Sequence, residues 1–352
     1  IQFVYNERNC RMLLIGDKAQ LPPVGETESP ALRTDVLAAY GLKVYECDLN
    51  EVLRQSQDSG ILYNATIIRQ MITHDQATAL PKIRFKGFAD ISIVPGDELI
   101  ESLSTSYAEV GIDETMVITR SNKRANIFNQ GIRNMVLGRE EELTTGDMLM
   151  VVKNKYKAPH NPPERGEAQA AGEGMQGKAT SNKGLTSFRG IEGGFIANGD
   201  RAIVRSVRNV WELYGFRFAD VTLSFPDYDN TEEDMIVILD TLTTEAPALT
   251  HEQNEQLFQQ VLADYADVPL KSDRMKKIRE DDYYNALQVK FGYAITCHKA
   301  QGGQWAHIYL DQGYMTDEML TPDYIHWLYT AFTRATEHLY LVNWPKTQVE
   351  EA

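Results

Sequence analysis

Residues 286–305 read ALQVKFGYAITCHKAQGGQW. The apolar run ALQVKFGYAIT predicts a strand, and it gives way to a short polar stretch and a Gly-Gly pair. A strand this continuously apolar belongs in a sheet buried on both faces, which points to an α/β fold. Where the chain leaves the strand it presents Thr296, His298, Lys299 and Gln301, and Gly302-Gly303 then allow backbone N–H groups to approach a phosphate closely. A histidine in such a place is ordinarily a plain surface or core residue, so His298 gains meaning only from the stretch around it. Trp305 reads as packing.

The α/β texture extends outward from this stretch in both directions. Downstream lie a strand HIYLD (307–311), a helix starting at Pro322 and running through Thr333, and a strand HLYLVNW (338–344). Upstream, RMLLIGD (11–17) predicts a buried parallel strand ended by glycine, and KVYECDL (43–49) a second. SGILYNATIIRQMI (59–72) has helical spacing with Ser59 as cap. MVIT (116–119) predicts a strand, followed by a helix from Ser121 with Ala125, Ile127, Phe128, Ile132 and Met135 on its buried stripe. Between these two α/β portions the texture changes. Residues 157–187 carry few large apolar side chains and are expected to form a mobile loop. After them come alternating strands with a hairpin signal at Asn198-Gly199, then a helix over 251–266 capped by Thr250 with Gln253 in the capping-box position. No internal repeat is visible.

Composition narrows the function classes. The chain has 352 residues, enough for more than one domain, and 43% hydrophobic content, enough for a sizeable core. Nothing approaches the roughly 18 apolar residues of a membrane span, and no export signal opens the sequence, so no membrane role is expected. Cys10, Cys47 and Cys297 are far apart, without CxxC spacing or clustered histidines; neither a disulfide framework nor a protein-held metal is indicated, and a cytoplasmic location is expected. Fifty acidic against 35 basic side chains give a net charge of −15, so any polyanion must be bound locally. A local basic stretch exists: residues 115–139 contain Arg120, Lys123, Arg124, Arg133 and Arg139 and no acidic residue. The bland reading is a solvated helix face; the sharper one is a groove for a single strand, helped by the helix N-terminus after Thr119.

The stretch MLLIGDKAQLPPV (12–24) raises the same choice. A lone GDxxQ is ordinarily an exposed loop, but a strand ending in Gly-Asp would set Gln20 to donate to a phosphate oxygen, on a loop stiffened by Pro22 and Pro23. GDKAQLPPVG resembles motif III of superfamily 1 DNA helicases, in the form of the RecD-like and Dda-like branch, and four further segments resemble that family's motifs in order. They are LNEVLRQSQDSGIL (49–62), VITRSNKRANIFNQGIR (117–133), YAITCHKAQGGQW (293–305) and WLYTAFTRATEHLYLV (327–342). The resemblance implies RecA-like domains, a partial first and a complete second, with an SH3-like β-rich insertion. The implied boundaries are 1–48 for the first motor domain, 49–147 and 286–352 for the second, and 148–285 for the insertion.

By the same resemblance, Gln20, Arg54 and Arg334 are the implied catalytic residues on the ATP γ-phosphate, with Gly16, Asp17, Gly303 and Gln304 completing the nucleotide site. Gln304 stands where the family usually has a glutamate that contacts the ribose. Pro22, Thr119, Asn122, Arg124, Thr296, His298, Lys299 and Gln301 are the implied contacts to single-stranded DNA. Arg334 has its own physical case, since a guanidinium near the end of a buried helix is costly without an anion. The implied activity is ATP-dependent translocation on single-stranded DNA, 5′ to 3′, by a monomer. Mg²⁺ is the implied metal, with its ligands and the phosphate loop expected upstream of Ile1. A motor feeding a nuclease, relaxase or repair partner is an alternative, as is a non-hydrolysing strand-binding module. GEGMQGKA (172–179) nearly matches a phosphate loop, but Ala179 replaces the hydroxyl that would hold the metal and no strand precedes it.

Overall fold

The computed structural model describes residues 1–6, 9–48, 58–74, 80–156 and 195–350, which fall into two compact units, 1–136 with 294–352 and 137–293. Arg54, the loop 157–187 and the GEGMQGKA stretch lie outside the described residues.

The first unit opens with two short helices, α1 (Gln2–Tyr5) and α2 (Thr34–Ala39), and continues with α3 (Gly60–Thr73), β1 (Ile91–Val94), α4 (Leu99–Glu109), β2 (Thr115–Thr119) and α5 (Asn122–Gly131). The chain then forms the second unit from β3 (Met148–Val151), β4 (Lys155–Tyr156), β5 (Phe195–Ile196), β6 (Arg201–Leu213), β7 (Phe216–Phe225), β8 (Thr231–Ile238), α6 (His251–Asp264), α7 (Lys271–Glu280) and β9 (Leu287–Phe291). It finishes the first with β10 (Ala294–Thr296), α8 (Cys297–Ala300), β11 (Trp305–Asp311), α9 (Pro322–Phe332) and β12 (Ala335–Val342).

In the first unit the strands form one parallel sheet in the order β1-β12-β11-β2-β10. The central strand β11 is buried along its whole length, as a parallel strand covered on both faces must be. Helix caps follow local chemistry. Ser59 accepts from the Leu62 N–H, Ser121 from Arg124 N–H and Thr321 from Tyr324 N–H, and Asp90 adds a carboxylate to the α3 N-terminus by accepting from Gly60 N–H at 2.8 Å.

The second unit is a closed barrel, β3-β6-β7-β8-β9, antiparallel except for β8 against β9. Phe216, Phe218 and Ile238 of the barrel bury against Leu257, Val261 and Ile278 of α6 and α7. The capping box of Thr250 and Gln253 starts α6.

Several expectations need correction. ALQVKFGYAIT is two strands: β9 closes the barrel, β10 joins the parallel sheet, and the break falls at Gly292, where a Cβ would crowd the Leu149 backbone at 3.3 Å. Asn198-Gly199 makes a turn, yet the strands it joins are not partners: β5 pairs with β4, and β6 with β3 and β7. The tight hairpin lies at Tyr214-Gly215, both with positive φ, the pairing of signs that suits the strand twist. Residues 11–17 and 43–48 form no strand, because no described strand lies beside them to complete a ladder; Leu13 and Ile15 are each 82% exposed. Ile127 is exposed because α5 buries the face of Ala125 and Asn129, and Met135 is exposed in the π turn over Ile132–Val136, which buries Ile132 and Arg133.

Between α4 and the sheet lies a polar layer. His307 pairs in register with His338, and Tyr309 with Tyr340; the His338 and Tyr340 rings stack at 4.1 Å and the two tyrosines at 4.4 Å. Ser106 bonds both the Tyr309 hydroxyl and His307 Nδ1, and Ser92 bonds His338 Nε2. Burial, and then the neighbouring His307, hold the His338 imidazole below its ordinary pKa, against weaker opposing pulls from Asp90 and Glu109. The folded state therefore favours neutral His338. Its contribution to stability is complete above the unfolded pKa of about 6.5 and is lost as pH falls below that value toward the depressed folded pKa. Denaturant titrations from pH 7.5 down to pH 5 should show the wild-type midpoint falling, with a smaller fall in His338→Gln.

Candidate functional site

The loop after Gly16 docks onto α9 through its backbone. Leu21 N–H donates to the Thr330 hydroxyl at 2.8 Å, and the Ala19 carbonyl accepts from His326 Nδ1 at 2.9 Å, which fixes the proton on that nitrogen. Gln301 Nε2 closes the other side by donating to the Leu21 carbonyl at 2.7 Å. Gln20 thus lies between two anchored residues, half-buried, with its own N–H donating to the Asp17 carbonyl.

Thr330 and Arg334 continue this seam. The Thr330 hydroxyl donates to the His326 carbonyl, while the Thr330 carbonyl accepts from Arg334 Nε at 3.0 Å. Arg334 is buried, and its two other nitrogens donate to the Gly303 carbonyl at 3.1 Å and to the Thr333 hydroxyl at 3.1 Å. The guanidinium is thereby spread flat at the end of α9, tying that helix to the Gly-Gly turn. Gly303 is packed under Trp305, so close that an added Cβ would lie 2.3 Å from the ring. Gln304, one residue on, is exposed. Gln20, Gly303, Gln304 and Arg334 therefore belong to a single region, at the edge of the sheet where β11 and β12 begin.

Asp17 turns out to be committed within the protein. Its carboxylate accepts from Ala19 N–H, Arg69 Nη1 and the Tyr329 hydroxyl, at 3.0, 2.9 and 2.9 Å. Gly16 stands apart against Leu32, whose methyl carbon would be 2.8 Å from an added Cβ.

The residues expected to hold a strand divide between the two ends of the sheet. Thr119 and Thr296 are register partners on β2 and β10, at the edge where the strands end. The Thr119 hydroxyl is fully buried and donates to the Ser121 carbonyl, so its part is to shape the turn into α5. Arg124 forms a two-pronged pair with Asp311 at the end of β11, 2.8 and 2.7 Å, its nearest charge being a carboxylate of the same unit. Asn122 is half-buried in the first turn of α5. His298, on α8, is exposed, whereas burial lowers the pKa of Lys299 beside it. Pro22 is half-buried beyond the anchored loop.

Arg69, His326, Tyr329 and Thr330 escaped the reading of the sequence. The signal was present in the helix DYIHWLYTAFTR: polar residues at 326, 329, 330 and 333 recur at helical spacing on an otherwise apolar helix, which marks a polar seam.

Residues 291–342, from the end of β9 through β12, match the UvrD-like helicase C-terminal domain family. Among solved structures, a Pif1 helicase from Bacteroides in complex with ADP-AlF3 and ssDNA is similar at 13% identity and TM-score 0.45, covering 100% of this chain and 67% of that one. Pif1 helicase from Candida albicans is similar at 13% identity and TM-score 0.34, covering 96% of this chain and 65% of that one. The chain thus spans about two thirds of the length of these proteins. No curated protein matches it.

The contact between Gly303 and Trp305 gives a direct test of the turn. Gly303→Ala should destabilise the protein by about 1–3 kcal/mol, because the buried ring has to move. Thermal unfolding of the variant against wild type measures this.

Proposed function

We propose that this chain forms part of an ATP-dependent motor that moves along single-stranded DNA in the 5′ to 3′ direction, of the RecD-like and Dda-like branch of superfamily 1 helicases. The observation that carries the reading is the meeting of the Asp17–Leu21 loop, the Gly302-Gly303 turn and Arg334 on one polar seam. These come from three sequence-distant motifs that the resemblance assigns to one nucleotide. The UvrD-like helicase match over 291–342 supports it independently for the last two.

In this reading 1–48 belong to a first RecA-like domain and 49–147 with 286–352 to a second, except that β9 closes the barrel and the compact unit of the barrel runs over 137–293; the barrel is an SH3-like insertion. Bound ATP supplies the phosphoanhydride whose cleavage drives the cycle. The described donors suit its terminal phosphate: an amide at Gln20 and a guanidinium at Arg334, with Gly303 and Gln304 in the same region, while Arg54, Gly16 and Asp17 are assigned to the nucleotide by the resemblance alone. Among the described residues no cluster of three or more His, Cys, Asp or Glu could hold a metal, so no residue is assigned to Mg²⁺.

The strand would run over the opposite edge, where the turns after Thr119 and Thr296 present Asn122, His298 and Lys299. Helix α8, only Cys297–Ala300, separates the Thr296 turn from the Gly302-Gly303 turn. A change at the phosphate end therefore has a five-residue path, 297–301, to the strand end. Two grips altering in alternation give stepping. A monomer acting in the cytoplasm, alone or beside a nuclease or repair partner, is consistent with this reading.

Arg334→Ala in the intact protein should reduce DNA-stimulated ATP turnover by about 10³ to 10⁵. Arg334→Lys should not restore it, because one ammonium cannot span the oxygens that the planar fork reaches. Oligo(dT) binding and thermal unfolding, measured on the same samples, separate this loss from misfolding. Full turnover in Arg334→Ala removes the assigned role.

A further inference from the structure

Arg69 lies on α3, in none of the segments that carry the resemblance beyond residue 62, yet it meets two that do. Its Nη1 donates both to Asp17 Oδ1 and to the Tyr329 hydroxyl, each at 2.9 Å, and its guanidinium lies over the Tyr329 ring at 5.7 Å. The Tyr329 hydroxyl in turn donates to Asp17 Oδ2 at 2.9 Å, which closes a ring of three hydrogen bonds. Burial, and then the nearby Asp17 carboxylate, raise the pKa of the Tyr329 phenol, so it holds its proton and serves as donor at neutral pH.

The three groups have unequal access to water. Tyr329 is buried, whereas the Asp17 and Arg69 side chains are 21% and 44% exposed. An ion pair this open is weak by itself and sensitive to salt. Its strength here comes from geometry: the carboxylate is already aimed by Ala19 N–H, and the phenol is fixed in a packed helix. Ala19 and Leu21, the residues on either side of Gln20, are then pinned to His326 and Thr330 one turn apart on that helix.

We propose that Asp17, Arg69 and Tyr329 act as a latch that holds the 17–21 loop on α9 and so sets the position of Gln20 relative to Arg334. Arg69 and Tyr329 are positioning residues. The proposal rests on the reading of Gln20 and Arg334 as γ-phosphate contacts. It adds that the two are registered to each other through α3 and α9, and that Arg69, outside any nucleotide-contacting motif, governs that registration.

The test uses Tyr329→Phe, which keeps the ring and removes one oxygen, and Arg69→Ala. Backbone amide exchange of the full chain should speed up by about tenfold or more at residues 19–21 in both variants, with α4 and β11 unchanged and the double variant less than the sum of the singles. In the intact protein both should lower kcat for ATP several-fold with KM little changed, and leave the affinity for ADP, which lacks the γ-phosphate, as in wild type. Arg69→Lys should recover part of kcat through one remaining donor. Unaltered exchange at 19–21 overturns the latch. Faster exchange with kcat unchanged shows that the latch exists while the loop does not sense nucleotide, which overturns both the role assigned here to Arg69 and the phosphate role of Gln20. A fall in ADP affinity equal to that for ATP overturns γ-phosphate positioning.

Discussion

The side chain of Thr330 has no access to solvent, and the residue uses both of its oxygens to join chain segments that are otherwise far apart. Its hydroxyl accepts from an amide 309 positions earlier, and its carbonyl accepts from the buried guanidinium of Arg334. Buried polar groups must be satisfied, and an unpaired one costs about 1–3 kcal/mol, so the hydroxyl, the Leu21 amide and the guanidinium hold one another in place. Moving any one member leaves the others short of a partner. This interdependence is what lets a loop without secondary structure sit in a defined position on a helix.

The parallel sheet gives the seam its direction. Helix α9 runs back against the strands, so its last turn and the Gly302-Gly303 turn come to the edge where β11 and β12 start, while the turns after Thr119 and Thr296 lie at the edge where β2 and β10 end. A strand rises roughly 3.3 Å per residue, so five or so residues separate the edges by about 15 Å. The sheet between them is close-packed, and packed interiors resist compression.

What was legible in the sequence was local. Ser59, Ser121 and Thr250 with Gln253 mark helix starts because a cap and the amide it serves are two or three residues apart, and Pro322 marks another because its ring suits the first helical turn. MVIT and HIYLD show as strands because burial on both faces leaves an uninterrupted apolar run. The break between β9 and β10 was hidden because both strands are apolar; what distinguishes them is the identity of their partners, Leu149 on one side and Val117 on the other. The motif resemblance singled out Gln20 and Arg334 but not the residues that seat them. The partners of Asp17, 52 and 312 positions away, have no local signature in the sequence.

Arg124 and Arg334 illustrate why charge alone does not identify a site. Both lie in segments that resemble helicase motifs; the resemblance implies a contact to single-stranded DNA for Arg124 and one to the ATP γ-phosphate for Arg334. Arg124 faces Asp311 at a fully buried carboxylate, so its charge is already balanced by a group that would itself be destabilised if the arginine turned elsewhere. Arg334 instead donates to the neutral oxygens of Thr330, Gly303 and Thr333. The same planar fork therefore braces α5 against the end of β11 in one place, through a carboxylate, and ties the end of α9 to the Gly303 turn in the other, through carbonyl and hydroxyl oxygens.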